Sequence, residues 1–212
     1  MEAHDKAVAA VASRVRHFFG KKQPFRIYHG STNSTRASQR RRGNTVDTSS
    51  LNRVLDVDVS KKTALVEPNV PMDALVAATL KAGLVPLVVM EFPGITVGGG
   101  FSGTSGESSS FRYGAFDTTI NWIEIVLPNG EVTKASRTTN EKTDLFWGAA
   151  SAFGTLGVIT LLEVQLREAK PYVRLTYSLY DDAARANASI REEIGMYCIC
   201  HIVQMVRQEG KR

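Results

Sequence analysis

The chain has 212 residues, 43% of them hydrophobic, which is enough for one large domain or two small ones around a real core. A formal net charge of +5 and a sequence pI of about 9.3 admit anionic partners such as phosphates or membrane surfaces, and do not by themselves argue for nucleic acid. No run approaches the roughly 20 apolar residues of a membrane span, and no apolar h-region opens the sequence. The two cysteines, Cys198 and Cys200, are too close to form a useful bridge, so a reducing, intracellular compartment is expected.

Taken in order, residues 5–19 read as a helix, with Val8, Val11, Ala12, Val15, Phe18 and Phe19 on one face. Arg14, Arg16, Lys21 and Lys22 make its end basic, as suits a helix C-terminus. Docking on the rest of the fold is the simpler reading; peripheral membrane association is the other. Residues 25–28 read as a short strand running into His29, Gly30, Ser31, Thr32, Asn33 and Ser34, a turn of glycine and hydroxyls able to cradle phosphate. Arg40, Arg41 and Arg42 read as a solvated basic loop, with phosphate contact or a localisation signal as alternatives.

Residues 46–59 carry two short strands, Lys61 and Lys62 mark a turn, and residues 63–67 form another strand. Pro71 opens a helix with the stripe Met72, Leu75, Val76, Thr79 and Leu80, ended by Gly83. Residues 84–89 resume as a strand.

The stretch from Phe92 to Tyr113 follows, with Gly94, Gly98, Gly99, Gly100, Gly103 and Gly106 among Thr96, Ser102, Thr104, Ser105, Ser108, Ser109 and Ser110. Glycine lets backbone approach a ligand and reach positive φ, and successive N–H groups in such turns bind anions. A large, flat, phosphate-bearing ligand is therefore expected. A linker is the bland alternative, which the interspersed Ile95, Val97 and Phe101 disfavour. Gly98, Gly100 and Gly103 spell G-x-G-x-x-G, but Pro93 and Gly94 break the approach and residues 104–110 are poor helix material. A Rossmann reading is rejected.

Beyond it, residues 120–127 read as a strand, Asn129-Gly130 as a hairpin turn, and residues 131–135 as its return. Residues 144–153 read as a helix with Leu145, Phe146, Ala149 and Phe153 inward. Residues 154–157 make a tight turn. Residues 158–166 read as a long alternating strand with Val158, Thr160, Leu162, Val164 and Leu166 on one face. Residues 171–180 read as one more strand, and no clear element follows residue 181. Cys198, Cys200 and His201 lack a second ligand pair at zinc spacing, so no metal is expected. The element order is α+β.

These stretches together resemble the FAD-binding domain of the vanillyl-alcohol oxidase / p-cresol methylhydroxylase family, and within it the delta(24)-sterol reductase (24-dehydrocholesterol reductase) group. The resemblance covers residues 25–179. It is carried by V-E-P at residues 66–68, T-V-G-G at 96–99, G-T-x-x-E-S-S-S at 103–110 and G-T-L-G at 154–157. The E-S-S-S followed by Tyr113 and Gly114 points to the sterol reductases over the sugar-lactone oxidases.

The resemblance implies a two-subdomain FAD-binding fold of the p-cresol methylhydroxylase type. Its layout here would be an N-terminal helix at 1–24, an FAD-binding domain at 25–180 and a tail at 181–212 that begins a truncated substrate domain. The FAD-binding domain would divide into a small subdomain at 25–90 and a larger one at 91–180. His29, Gly30, Ser31, Thr32, Asn33 and Ser34 would hold the pyrophosphate from one side. Pro93, Gly94, Thr96, Val97, Gly98, Gly99, Gly103, Thr104, Ser105, Ser108 and Ser109 would hold it and the flavin from the other. Gly154, Thr155, Gly157, Val158 and Ile159 would lie along the adenine-ribose half.

Many relatives bond the flavin covalently through a histidine, and Asn33 occupies that position, so the FAD is expected to be non-covalent. The implied activity is reduction, with NADPH, of a C=C double bond in the side chain of a sterol. The alternatives are an FAD oxidase or dehydrogenase of a sugar or hydroxy acid, or a flavin-binding module without activity. Glu107 is the one carboxylate inside the glycine run and a candidate for a polar role near the flavin; bracing the loop is its simpler role. Tyr113 is a candidate proton donor, or a buried ring anchored by its hydroxyl. A cytoplasmic protein, or one peripheral to the endoplasmic reticulum membrane, is expected.

Overall fold

The computed structural model describes residues 1–30, 42–138, 142–172 and 177–194. The predicted turn residues Ser31, Thr32, Asn33 and Ser34, with Arg40 and Arg41, lie outside the described residues, as do Cys198, Cys200 and His201.

Helix α1, Glu2–Gly20, buries His4, Val8, Val11, Ala12, Val15 and Phe18 and exposes Phe19. It packs on a two-stranded parallel sheet of β1, Arg26–Tyr28, and β2, Thr45–Asp47, closing a small core with Val46, Leu51, Val126 and Val158. Phe25 stacks on Phe18 at 5.4 Å, so the backbone leaving α1 is fixed at the start of β1.

The larger sheet has six antiparallel strands: β3 (Val54–Asp58), β4 (Thr63–Val66), β5 (Leu84–Pro86), β6 (Ile120–Val126), β7 (Val132–Ser136) and β8 (Val158–Glu168). Their order is β3-β4-β8-β6-β7, with β5 also pairing along β8. β3, β4 and β5 precede residue 90, yet all belong to the same sheet as the strands that follow it. What stands apart is the small core under α1.

β8 is the central strand, and its first five residues are all buried. A single apolar face was expected from Val158 through Leu166. Instead Val158 packs in the small core, while Ile159, Leu162, Val164 and Leu166 pack in the large one. The register on β6 explains the change. Glu124 faces Leu161 and Ile125 faces Ile159, so β8 carries an extra residue, Thr160, and the alternation inverts there.

Helix α2, Met72–Leu80, buries Met72, Leu75 and Thr79, and leaves Leu80 exposed. Pro71 is extended and lies just before the helix, not in its first turn. Pro71 offers no side-chain cap, and the first two N–H groups go to main-chain carbonyls. Met72 donates to Ile95 O at 2.9 Å and Asp73 to Pro93 O at 3.2 Å. The start of α2 is thus tied to the start of the glycine run. Helix α3, Val97–Ser102, lies inside that run, and α4, Ser110–Tyr113, at its end.

The β6–β7 hairpin turns at Gly130, φ +81°, where a side chain would strike Arg16 and the Ala12 carbonyl of α1. Helix α5, Thr143–Ala149, buries Phe146 and Ala149 and is shorter than expected. Phe153 lies beyond its end and is 80% exposed, against the inward position read from its spacing. Residues 171–172 and 177–180 form no strand, and helix α6, Ala183–Ile194, follows them.

Candidate functional site

The glycine run begins its helix at Thr96, whose hydroxyl accepts from Gly99 N at 3.2 Å. Val97 N–H donates to Val70 O at 2.9 Å and Gly98 N–H to Pro68 O at 2.8 Å. Tertiary carbonyls and the Thr96 cap therefore satisfy the donors of this glycine-rich turn, which has little helix propensity of its own. These N–H groups are already engaged within the protein. Val97, Gly98 and Gly99 contribute a close-packed backbone rather than open anion donors.

The glycines divide by what a side chain would meet. A Cβ on Gly98 would come within 2.7 Å of Pro68, and one on Gly100 within 2.5 Å of Met90 Sδ and 2.9 Å of Phe116. Packing requires these two. A Cβ on Gly99 would meet only the Thr96 hydroxyl, at 3.0 Å, and one on Gly30 or Gly106 would meet nothing within 4 Å. Gly30 is held to glycine by its φ of +90° and Gly99 by the capping hydroxyl, whereas Gly106 is bare without either reason, as expected of backbone left open for a ligand.

Two of the predicted turns come together, beside the strand that leads to the other. Phe153 N–H donates to Ser102 O at 3.2 Å, joining the 150–157 turn to the end of α3. A Cβ on Gly154 would lie 3.0 Å from Ile27 Cδ1, which sets the same turn against β1 and thus against the segment leading to His29 and Gly30. Phe101 meets Phe146 edge-to-face at 5.2 Å, fixing α3 on α5. Among the described residues, the N–H groups of Gly106 and Gly154 have no acceptor. The bare Gly106, two N–H groups without an acceptor among the described residues and a junction of two turns beside β1 fit the phosphates and flat rings of a dinucleotide.

The remaining predicted residues flank this junction. Pro93 supplies a carbonyl to α2, and Gly94 lies beside it. Thr104 is at φ +47°, and Ser105 exchanges backbone hydrogen bonds with Gly100 and Phe116. Ser109 Oγ donates to Leu87 O at 3.4 Å, and Ser108 precedes it in the same turn before α4. Thr155 closes its own turn on Ala152 O. Gly157 packs against Val126 O and Ile125, while Val158 and Ile159 enter β8. His29 and Gly30 are exposed at the end of β1.

Glu107 accepts from Glu91 N at 2.8 Å, and its own N–H donates to Ser110 Oγ at 2.9 Å. One carboxylate oxygen thus braces the loop, and the second takes no hydrogen bond from a described residue. Tyr113 is half-buried against the large core, with the Arg112 guanidinium 5.9 Å from its ring centre.

Residues 6–136 match the family described as FAD binding domain. The chain belongs to this family. Its curated relatives include the Delta(24)-sterol reductases of Pisum sativum, 39% identical over 132 residues, and of Arabidopsis thaliana, 40% identical over 132 residues. Each match covers 62% of this chain and 23% of the relative. The Delta(24)-sterol reductase of Homo sapiens is 36% identical over 124 residues, covering 58% of this chain and 24% of that protein. The matches thus span about a quarter of the length of these relatives. The glycine run and the V-E-P segment fall inside the family match, and the 150–157 turn lies beyond it. The α+β architecture, with its mixed helices and antiparallel sheet, is that of the p-cresol methylhydroxylase type of FAD-binding fold.

Sequence reasoning missed the polar residues that hold the site's scaffold. Glu67 of the V-E-P segment is fully buried. Burial alone would raise its pKa, but hydrogen bonds from the Arg53 guanidinium, His4 and the Arg53 backbone outweigh that and lower it. A glutamate before a proline in an apolar strand was the available signal. Asp117, in the 3₁₀ turn Phe116–Thr119, is buried with Oδ1 unpartnered among the described residues, and burial raises its pKa. Among the described residues no cluster of His, Cys, Asp or Glu could hold a metal, and no helix is long and apolar enough to cross a membrane.

Proposed function

We propose that this protein holds FAD non-covalently at the junction of its three glycine turns, as part of an NADPH-using reductase of a C=C double bond in the side chain of a sterol. The observation that carries the reading is the meeting of the glycine run and the 150–157 turn beside β1: Phe153 bonded to Ser102 O on one side, and Gly154 set against Ile27 on the other. The names of the relatives support the sterol as substrate. A sterol delivered from a membrane would also favour peripheral association with one.

Bound FAD supplies hydride transfer, so the protein's part is binding, orientation and electrostatics. The residues would divide that work. His29, Gly30, Ser31, Thr32, Asn33 and Ser34 would form the outer wall of the phosphate site, with Gly106 and Gly154 as donors from within. Gly99 and Gly103 would give a ring or ribityl group room against bare backbone. Glu107 would keep the Glu91 segment in place with one oxygen and present the other to the site. Tyr113 would offer its hydroxyl as the proton source for the alkene carbon that does not receive hydride.

The test is reconstitution of the purified protein with FAD, followed by anaerobic addition of NADPH and then a side-chain-unsaturated sterol. A flavin spectrum on the protein, bleached by NADPH and restored by the sterol, is the expected result for the assembled enzyme. A protein that retains no flavin after gel filtration would defeat the reading at its first step. Oxygen-dependent reoxidation after bleaching by a sugar or hydroxy acid would replace it with the oxidase alternative.

A further inference from the structure

We propose that Phe153 is an aromatic platform on which a flat ring of the bound dinucleotide rests. The inference depends on the FAD reading above and adds to it a residue that the sequence placed in the core.

The backbone around Phe153 is held in an uncommon state. Ser151, Phe153 and Gly154 have φ of +57°, +50° and +77°, and Thr104, on the run opposite, has +47°. Left-handed φ is disfavoured for residues bearing a Cβ, most of all for a bulky or β-branched one. Such residues persist where surrounding structure holds them, and they gather at ligand sites. Here two segments with this feature are joined by the Phe153 N–H to Ser102 O bond of 3.2 Å.

Packing does not explain the phenylalanine. Phe101, Phe116 and Phe146 are fully buried nearby, whereas Phe153 is 80% exposed. Its side chain nonetheless lies toward the glycine run: Cε1 is 3.9 Å from where a Cβ on Gly103 would stand. Gly103 is otherwise crowded only by Gly99 O, at 3.1 Å. An exposed ring therefore stands beside bare backbone, one residue before the Gly154 N–H, which has no acceptor among the described residues. That pairing of an aromatic face with an unused anion donor suits a ligand that is both flat and phosphate-bearing. Both ends of FAD have this chemistry, adenine and isoalloxazine alike.

The experiment titrates the apo protein with FAD, ADP and FMN, following ligand fluorescence or heat. The variants are Phe153→Ala, Phe153→Leu and Phe153→Tyr. Stacking of a base on an aromatic side chain predicts a loss of roughly tenfold in FAD affinity for Phe153→Ala. Phe153→Tyr should stay within about threefold of wild type, and Phe153→Leu should fall between. Thermal melting of all three apo variants should match wild type, since the ring is exposed. A loss carried over to ADP assigns adenine to the platform, and a loss carried over to FMN assigns the isoalloxazine. Equal FAD affinity for wild type and Phe153→Ala overturns the proposal and leaves FAD binding intact. So does a change confined to self-association by sedimentation. Wild type that binds none of the three ligands removes the FAD reading and this inference with it.

Discussion

His4 Nδ1 lies 2.9 Å from Glu67 Oε1, joining residues 63 apart in sequence in a site closed to solvent. Glu67 also takes the Arg53 guanidinium at 2.7 Å through Oε1, and at 3.1 Å and the Arg53 backbone N–H at 2.7 Å through Oε2. An ionised carboxylate only accepts, so His4 Nδ1 is the donor. The second ring nitrogen is 3.3 Å from Glu124 Oε1, and that oxygen accepts from Thr160 Oγ1 at 2.7 Å. This network pins α1 to β6, β8 and residues 67–70, whose Pro68 and Val70 carbonyls accept from the glycine run.

Glu67 should make the fold acid-sensitive. Its carboxylate pKa is lower folded than unfolded, so the stabilisation is complete above the unfolded value. It is lost as pH falls below that value and through the folded one. Glu67→Gln should flatten this acid limb of the melting curve. Glu67→Ala, which leaves His4 buried without its partner, should cost about 3 kcal/mol at pH 7. Chemical denaturation from pH 7 to pH 3 measures both. An acid limb as steep in Glu67→Gln as in wild type would show that other groups drive it.

Asp117 should act with the opposite sign. Burial raises its folded pKa, so it favours the fold when protonated and loses that contribution as pH rises from the unfolded value through the folded one. Asp117→Asn keeps an acceptor for the neighbouring N–H groups and removes the buried charge. It should leave the melting temperature at pH 7 unchanged or raise it. A clear fall would mean that the charge has a favourable partner.

The outline of the fold was legible in the sequence because its elements are locally encoded. The stripe of Val8, Val11, Val15 and Phe18, the Asn129-Gly130 turn and the alternating β-branched runs each carry their own signal. Helix α3 was not legible, since glycines disfavour helix and the bonds that hold it come from Val70 and Pro68, distant in sequence. Phe153 sits four residues after Ala149 and so appeared to continue the buried face of α5. The helix stops first, and positive φ turns the ring outward. Helix α6 was missed because its apolar stripe, Ala183, Ala186, Ile190 and Ile194, is made half of small alanines in a charged stretch, although Asp182 accepts from Arg185 N at its start. At the site, the three glycine turns were visible one by one. The meeting of the last two beside β1, and the Glu67 network, depend on long-range contacts that spacing does not reveal.

The glycines should separate into two mutational classes. Gly100→Ala drives a methyl group into Met90 and Phe116 of the core and should destabilise the protein by about 1–3 kcal/mol. Gly103→Val adds its bulk beside Phe153, at the surface of the junction, and should abolish FAD retention with a smaller loss of stability. Melting temperature and bound flavin absorbance, measured on both variants, read the two effects separately. Flavin retained at the wild-type ratio in Gly103→Val would remove this face of the run from the binding site.

FAD should leave the protein on denaturation. A covalent link would need a nucleophilic side chain at the flavin, and a carboxamide such as Asn33 does not supply one. The protein has four histidines. His4 is buried in the Glu67 network, and His17 lies on α1 near the small core. His201 lies far along the sequence, leaving His29, exposed at the end of β1, as the histidine adjacent to the predicted phosphate turn. It stands four positions before Asn33, so at the expected register it faces the phosphate half of the cofactor rather than the reactive ring. Acid precipitation of the reconstituted protein should therefore leave the yellow colour in the supernatant, with intact FAD by chromatography. Flavin remaining in the wild-type pellet would refute this. If it were then released from the His29→Ala pellet, His29 would be the point of attachment, and the flavin ring would have to lie at the β1 end of the junction.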